Sequence, residues 1–329
     1  MRSALLAVAV VLSASSAVPA DTWRLEDGRD WKAVSAGDKD RFLLAAAEIR
    51  RLVDSRQTEA AREAFDALKQ DFPEMAGPDL DIFIKAEIYY CRGKLAKAVR
   101  SYDKLLSEHA KSDFRQAALE REFGIATGFL AGQKKTVLGI IRMRRYGEGI
   151  KIMEKITDRV GFDKPMGMEA SLAVAKNYEE REKFNEAYLK WWEISLHRDR
   201  GTVGRDALLA MARCKRAVYN EHPEYKRASY DASCLSTAKS CYERFRLLYP
   251  EDAKKLEVDG ILKEINEQLA DKQLSIGRYY QRVGNRQSAN LYFDMVAKDW
   301  PGNEAARTAK EMLAANQEMP SGDEAPPEK

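Results

Sequence analysis

The stretch AKNYEEREKFNEAYLKWWEI, residues 175–194, decides the fold of this chain. Its small residue Ala187 is followed four positions later by the large residue Trp191, so the two share one face of a helix. This small–large spacing occurs six times along the chain: Ala61/Phe65, Ala98/Tyr102, Gly149/Met153, Ala187/Trp191, Ala238/Tyr242 and Ala289/Phe293. A small residue lets two helices approach closely, and the large residue fills the next gap. The repetition predicts successive helix–turn–helix units with one such pair, structural in role, on each second helix.

Aromatic–proline pairs mark the ends of several units. Three such pairs lie 11 or 12 residues beyond the small residue: Phe72-Pro73, Tyr249-Pro250 and Trp300-Pro301. Proline ends a helix because it lacks the N–H group and its ring clashes with the preceding turn. Stacked helical hairpins usually provide an extended binding surface. The pattern therefore favours a binding function over a catalytic one.

Three units share one register of small, aromatic, small, aromatic and apolar positions. These positions hold Ala86, Tyr89, Ala98, Tyr102 and Leu105 in the second unit, Ala175, Tyr178, Ala187, Trp191 and Ile194 in the fourth, and Gly277, Tyr280, Ala289, Phe293 and Val296 in the sixth. The pattern resembles the tetratricopeptide repeat, which has a period of about 34 residues. The resemblance implies an all-α fold: a right-handed solenoid of about six tetratricopeptide-like hairpins with a C-terminal capping helix.

The last unit also resembles a particular family. The segment GRYYQRVG, residues 277–284, followed by Trp300-Pro301, is similar to the last repeat of the BamD family of outer membrane protein assembly factors. An insertion that begins at Gly128 lies where that family carries one. The similarity covers roughly residues 38–316. It implies a scaffold whose partners are a barrel-assembly core protein or unfolded outer membrane protein segments.

One position departs from that family, whose members are anchored through a cysteine directly after the signal peptide. Asp21 stands at this position, so no cysteine is expected to carry a lipid anchor. The sequence therefore leaves a second function open, that of a soluble periplasmic tetratricopeptide adaptor for cell-envelope or division machinery.

Residues 1–20 form a separate element. Arg2, the apolar run Ala4–Leu12 and the sequence Val18-Pro19-Ala20 are typical of a signal peptide cleaved after Ala20. We expect an exported, periplasmic protein that associates with the outer membrane only peripherally or through partners. The remaining chain is predicted to form an irregular leader (21–37), the repeat solenoid (38–316) and a disordered tail (317–329).

The composition gives no indication of nucleic-acid binding, because the formal net charge is only +3 over 329 residues. The three histidines, His109, His197 and His222, lie far apart, and no phosphate-binding glycine loop or hydrolase motif occurs. We expect a protein that is not an enzyme and binds no metal or cofactor. Among the four cysteines, Cys214 could pair with either Cys234 or Cys241 if their helices pack together. The alternative is that all four are small buried apolar side chains.

Two surfaces are candidate partner sites. The first is the inner face lined by first-helix residues, since concave repeat surfaces bind extended peptides or partner helices. Its predicted residues are Arg50, Phe83, Glu87, Tyr90, Lys176, Glu179, Arg278 and Gln281. The second is a basic insertion, residues 131–146, whose cations flank the apolar run Val137–Ile141: Lys134, Lys135, Arg142, Arg144 and Arg145. These cations would face an anionic membrane or an acidic partner; alternatively, the apolar run packs back onto the scaffold.

Overall fold

A computed structural model describes residues 22–26, 30–34, 36–137 and 141–318 of the chain. Helices predominate in these ranges, which confirms the predicted all-α helical-repeat class. The chain forms two compact units, residues 1–125 and 126–329, which are called the first and the second unit from here on. Each helix–turn–helix repeat is called a helical hairpin. The predicted signal peptide and most of the predicted tail lie outside the described residues.

The first unit contains a β-hairpin and two helical hairpins. Its elements are β1 (Thr22–Glu26), β2 (Asp30–Val34), α1 (Ala36–Asp54), α2 (Thr58–Asp71), a 3-10 turn (Pro73–Met75), α3 (Pro78–Cys91) and α4 (Leu95–Glu108). The antiparallel pairing of β1 with β2 differs from the irregular leader predicted for residues 21–37. The sequence carries a signal for this hairpin, because Asp27-Gly28 separates two short runs that each contain a tryptophan.

The helix α5 (Arg115–Leu130) contains residues of both units, and the second unit continues from it. Its further elements are β3 (Lys134–Val137), β4 (Ile141–Arg144), α6 (Tyr146–Val160), α7 (Pro165–Glu180), α8 (Phe184–His197), α9 (Gly201–Asn220), α10 (Glu224–Arg227), α11 (Ser233–Leu248), α12 (Pro250–Lys255), α13 (Val258–Arg282), α14 (Arg286–Asp299) and α15 (Glu304–Glu318). The principal helical pairs are α6 with α7, α7 with α8, α8 with α9, α9 with α11, α13 with α14, and α14 with α15. Each helix therefore packs mainly on its neighbours along the chain, as in tandem repeats.

All six small–large pairs lie on second helices and are buried, as predicted. In α2, Ala61 is fully buried and Phe65 is 3% exposed, within the apolar core of the first unit. In α8, Ala187 is fully buried and Trp191 is likewise 3% exposed. The pairs are therefore packing residues that hold the hairpins together.

The last hairpin shows how closely the two helices of a unit approach. A Cβ atom added at Gly277 of α13 would lie 2.5 Å from Cε1 of Phe293 on α14. At this point only glycine fits without a shift of the neighbouring ring.

The segment that precedes the last small–large pair forms two helices rather than one. The short helix α12 begins at Pro250, and α13 begins only at Val258. Between them, Glu257 has a left-handed backbone with φ 52°. This conformation cannot continue a right-handed helix, so α13 begins as a separate helix at the next residue.

Helix α15 covers the end of the last hairpin. Ala305, Ala306 and Ala309 are buried where α15 packs on α13 and α14. Its Asn316 accepts a hydrogen bond from Gln281 at 3.2 Å and donates one to Asn290 at 2.6 Å. The helix therefore has the capping role predicted from the sequence.

Candidate interaction surfaces

The residues of the repeat signature belong to the core and form no part of an interaction surface. Phe65 is the clearest case in the first unit, because its ring is enclosed among Ile49, Leu68, Phe72 and other apolar residues of the same cluster. A partner cannot reach such a side chain without unfolding the hairpin. The same holds for the other buried small and large members of the signature: Ala61, Ala98, Tyr102, Ala187, Trp191, Ala238, Tyr242, Ala289 and Phe293.

The predicted inner-face residue Glu87 is not on the surface of the first unit. Its side chain is buried between α3, α4 and α5, with the whole residue 2% exposed. Arg121 donates from Nε and Nη2 to the two carboxylate oxygens at 3.0 and 2.8 Å, and the Tyr102 hydroxyl donates to Oε1. The prediction that Glu87 contacts a partner was wrong, because Arg121 and Tyr102 already satisfy its charge.

The pKa values of this cluster follow from burial and mutual charge. Burial, followed by the charge of Glu87, raises the pKa of Tyr102 well above its usual range. Burial alone would lower the pKa of Arg121, but the charge and hydrogen bonds of Glu87 raise it. Tyr102 is therefore a neutral phenol at ordinary pH, and Arg121 keeps its positive charge.

The other predicted residues of the first unit also contact its own side chains. Phe83 stacks on Phe114 with ring centroids 5.1 Å apart, and the Arg121 guanidinium lies 4.6 Å from the Tyr90 ring centroid. Arg50 pairs with Glu120 at 3.3 Å. These contacts connect α1 and α3 with Phe114 and the first half of α5, while the Arg50 side chain remains 56% exposed.

In the second unit, Glu179 joins three neighbouring helices. Its carboxylate accepts hydrogen bonds from Trp191 Nε1 at 3.0 Å and Arg213 Nη2 at 3.1 Å, and Cys214 Sγ lies 3.7 Å away. Burial, with the charge of Glu179, raises the pKa of the Cys214 thiol to about 12. Both carboxylate oxygens of Glu179 therefore already have hydrogen-bond partners within the protein.

The remaining predicted residues of the second unit differ in exposure. Lys176 and Arg278 are exposed and available to a partner. Gln281 is half-buried and bonded to the capping helix. In the second unit, the sequence therefore predicted two accessible cations of the inner face but not a continuous binding surface.

An open groove of about 420 Å³ lies beside α9. Its lining includes Arg213, Arg216 and Asn220 on one face of that helix, together with Phe184 and Tyr242. Arg213 is paired with Glu179, and Arg216 is paired with Glu264. Both arginines in this lining are therefore already engaged in ion pairs within the protein.

Among the described residues, three exposed apolar side chains form a stripe on α8 that the sequence pattern did not predict. Leu189, Trp192 and Leu196 are 60%, 47% and 63% exposed. Their spacing of three and four places them on one face of the helix, while Ala187, Trp191 and Ile194 are buried on the other. The sequence did contain an indication of this stripe, because α8 has apolar residues at more positions than a single packing face requires. We call Leu189, Trp192 and Leu196 the α8 stripe.

The basic insertion forms the antiparallel hairpin β3–β4. Lys134 pairs with Arg144, Lys135 with Met143, and Thr136 with Arg142 in its register. The fifth predicted cation, Arg145, is 8% exposed, lies 4.2 Å from the Phe129 ring centroid and pairs with Glu148. Its assignment to an exposed patch was wrong, because its guanidinium is buried beside an aromatic ring.

Close to this hairpin, the exposed arginines Arg144 and Arg181 both contact Tyr146. The Arg181 guanidinium lies 4.1 Å from the ring centroid, and Arg144 Nη1 donates to the phenolic oxygen at 2.9 Å. Together with Glu180 they line an open concavity of about 650 Å³. The sequence did not predict that Arg181 lies at this concavity, because 35 residues separate it from Tyr146.

No group of three or more His, Cys, Asp or Glu side chains within the described residues is placed to hold a metal ion. His197 stacks on Phe162, and His222 stacks on Tyr230, with centroids 3.9 and 3.8 Å apart. The four cysteines are unpaired. None of the described helices combines the length and apolar character required to cross a bilayer.

Comparisons with known proteins add little to these observations. No family model matches the chain, and no curated protein matches it. Among solved structures, the chain is similar to PilW, described as a widely conserved type IV pilus biogenesis factor. The match has 16% sequence identity, covers 84% of this chain and 100% of that chain, and has a TM-score of 0.28. A similarity at this level carries no argument about function, which therefore depends on the residues of the chain itself.

Proposed function

We propose that the chain is an exported helical-repeat scaffold that binds protein partners in the cell envelope. The α8 stripe is the observation that carries the proposal. Three large apolar side chains at helical spacing, all roughly half exposed or more, are typical of a surface that another protein covers. Its spacing matches an amphipathic partner helix with apolar residues three and four apart.

The stripe is well placed for this role because its helix is held rigidly. On the opposite face of α8, Trp191 is buried and donates to Glu179, which is in turn paired with Arg213 of α9. A surface fixed before binding loses little conformational entropy when a partner docks. A single helix can therefore serve as an anchor for a partner.

The specific process that we propose is the assembly of outer membrane β-barrel proteins. Its support is the similarity of residues 277–284 and of Trp300-Pro301 to the last BamD repeat. The partner would be a barrel-assembly core protein or an unfolded outer membrane protein segment. The predicted signal peptide supports a periplasmic location.

A second candidate is a periplasmic adaptor for cell-wall or division machinery. Asp21, where BamD proteins carry a cysteine, favours it over the first candidate. Both candidates share the scaffold role and differ only in the partner, so the same experiment separates them.

The test is to tag the C-terminus, solubilise envelopes with mild detergent and identify the co-purifying proteins by mass spectrometry. We expect a barrel-assembly core protein, and we expect the triple variant Leu189→Ser, Trp192→Ala, Leu196→Ser to lose it. Recovery of only wall or division proteins would favour the adaptor, and failure to recover any envelope protein would contradict the scaffold role.

The matched control changes three other exposed leucines of the same unit to serine. Leu247, Leu248 and Leu256, on α11 and just after α12, are 80%, 49% and 46% exposed. This variant is expected to retain the partner, because the α8 stripe is intact. Equal loss in both triple variants would show that general apolar exposure, rather than the α8 stripe, causes the co-purification.

A further inference from the structure

The α8 stripe lies at helix positions that are mostly polar in the other second helices. Counted from the small residue Ala187, its members are the second, fifth and ninth residues along the helix. The corresponding positions hold Glu63, Asp66 and Gln70 in α2, and Lys151, Glu154 and Asp158 in α6. All three are also polar in α4, whereas α11 and α14 each have one leucine and two polar residues there. A polar face is therefore compatible with the helical hairpin, and the three apolar residues of α8 are not required for the fold.

The order of residues in the α8 stripe is nearly the same in both directions along the helix. Trp192 stands between two leucines, three residues after Leu189 and four residues before Leu196. A two-fold symmetric dimer brings one surface patch against the same patch of the second copy, so the patch must be complementary to itself. In an antiparallel pair of α8 helices, Leu189 of each copy lies opposite Leu196 of the other, and the two Trp192 rings meet near the axis. The stripe is therefore suited to pairing with itself.

Exposed charges of opposite sign flank the two ends of the stripe. Glu186 lies three residues before Leu189, and Arg200 lies four residues after Leu196, in the link between α8 and α9. Within the chain, these two side chains contact only exposed neighbours in sequence among the recorded ion pairs, at 3.7 and 3.9 Å, and such pairs contribute little. Antiparallel packing places Glu186 of one copy near Arg200 of the other, whereas parallel packing would bring like charges together. The charges therefore favour the same arrangement as the apolar residues.

We propose that the α8 stripe binds the α8 stripe of a second copy of the chain, in an antiparallel and two-fold symmetric pair. Its three side chains present on the order of 300 Å² of apolar surface per copy, whereas stable interfaces bury about 800 Å² per partner. The pair is therefore a reversible dimer, in equilibrium with the monomer at micromolar concentrations.

This dimer regulates access to the surface. A partner that binds the α8 stripe must replace the second copy, because both use the same three side chains. The inference rests on the proposed function in this one respect, since it assigns a competing occupant to the same protein-binding surface.

The test is sedimentation equilibrium of the purified protein between about 1 and about 200 µM. We expect the average mass to rise from that of the monomer towards twice that value as the concentration increases. The triple variant of the α8 stripe should remain monomeric over the whole range, and the triple control variant with serine at positions Leu247, Leu248 and Leu256 should dimerise as the parent does. A parent protein that stays monomeric, or equal loss of the dimer in both variants, would overturn the proposal.

Exchange of the two flanking charges tests the antiparallel arrangement. Glu186→Arg alone and Arg200→Glu alone each place like charges together at both ends of the pair, and each should raise the dissociation constant about tenfold. The double variant Glu186→Arg/Arg200→Glu restores opposite charges and should return the constant to within about twofold of the parent value. The control Glu63→Arg reverses an exposed charge at the corresponding position of α2 and should leave the constant unchanged. A double variant that dimerises no better than the single variants would contradict the antiparallel pair.

Co-purification from solubilised envelopes separates this inference from the proposed function. If the parent protein is monomeric in sedimentation but recovers an envelope partner, the inference fails while the proposed function stands. If the parent protein dimerises but recovers no envelope protein, the dimer stands and the proposed function fails.

Discussion

At the scale of single residues, the buried carboxylate of Glu87 depends on two partners from other helices. Arg121 supplies its counter-charge and Tyr102 supplies a further hydrogen bond. A buried charge that loses its partner costs far more free energy than an exposed one, because water cannot replace the interaction. The network therefore fixes α3, α4 and α5 in one arrangement.

We expect Arg121→Met to lower the free energy of unfolding by about 3–5 kcal/mol, because Glu87 stays buried without a counter-charge. Tyr102→Phe removes one hydrogen bond to a charged group and should cost about 2 kcal/mol. Urea unfolding followed by circular dichroism measures both. The control, Arg50→Met, breaks the exposed pair with Glu120 and should cost less than about 1 kcal/mol. Similar losses for Arg121→Met and Arg50→Met would contradict the burial argument.

Two glycines of α13 provide a matched pair of substitutions. Gly277→Ala places a Cβ atom 2.5 Å from the Phe293 ring, whereas a Cβ at Gly260 has no neighbour within 4 Å. The first change should destabilise by about 2 kcal/mol through overpacking. The second should stabilise by about 0.5–1 kcal/mol, because alanine favours the helix. Thermal unfolding measures the stability of both variants. An unchanged stability of Gly277→Ala would contradict the close approach of α13 and α14 at this glycine.

The buried thiol of Cys214 makes stability depend on alkaline pH. The folded protein holds this proton up to a pKa of about 12, while an unfolded cysteine releases it near about 8.5. The stabilising contribution is therefore complete below about pH 8.5 and is lost as the pH rises towards 12, by at most about 1.4 kcal/mol per pH unit. Under reducing conditions, Cys214→Ala should flatten the decline in unfolding free energy between about pH 8 and about pH 10. Parallel curves for the parent and the variant would refute this assignment.

At the scale of elements, the left-handed residue Glu257 sets the boundary between α12 and α13. A non-glycine residue in this conformation costs about 1–2 kcal/mol, and glycine removes most of that cost. Glu257→Gly should therefore raise the free energy of unfolding by about 0.5–1 kcal/mol. The same change at Lys263, an exposed helical position of α13, should lower it by about 1 kcal/mol. A loss of stability at both positions would show that the backbone at Glu257 is not strained.

The helical hairpins could be predicted from the sequence because their signal is local. The pairs Ala61/Phe65 and Ala187/Trp191 each lie within one helix, and their spacing follows from the geometry of that helix. The break at Glu257 could not be predicted in the same way, because glutamate has no preference for a left-handed backbone. The sequence did not predict the β3–β4 hairpin, because the basic insertion at residues 131–146 contains no turn signal of the type found between paired strands.

The candidate sites were less predictable because exposure depends on contacts between distant residues. Glu87 occupies a first-helix position typical of an inner face, but Arg121, 34 residues away, covers it. The same distance in sequence separates Glu179 from Arg213. Pairing between successive hairpins thus removes predicted binding residues from the surface, and a single-sequence pattern does not reveal it.

At the scale of the whole molecule, tandem packing makes the last hairpin dependent on its cap. A chain ending at Gly302 lacks α15, so the surface of α13 and α14 that covers Ala305, Ala306 and Ala309 becomes exposed. We expect a loss of about 2 kcal/mol or more from the reduced burial of apolar surface, with increased binding of a hydrophobic dye. A chain ending at Glu318 should behave as the full chain does. Equal stability of the two truncated chains would show that α15 is not a cap.

The two adjacent tryptophans of α8 give the protein an internal optical reporter. Trp191 is enclosed and bonded to Glu179, so its fluorescence should be shifted to shorter wavelength and change mainly on unfolding. Trp192 is 47% exposed, so a dissolved quencher such as acrylamide can reach it in the free protein. When a partner covers the α8 stripe, that quenching should diminish while the emission of Trp191 stays constant. In a variant whose other tryptophans, Trp23, Trp31 and Trp300, are changed to phenylalanine, occupancy of the surface can therefore be followed by intrinsic fluorescence, without any attached label.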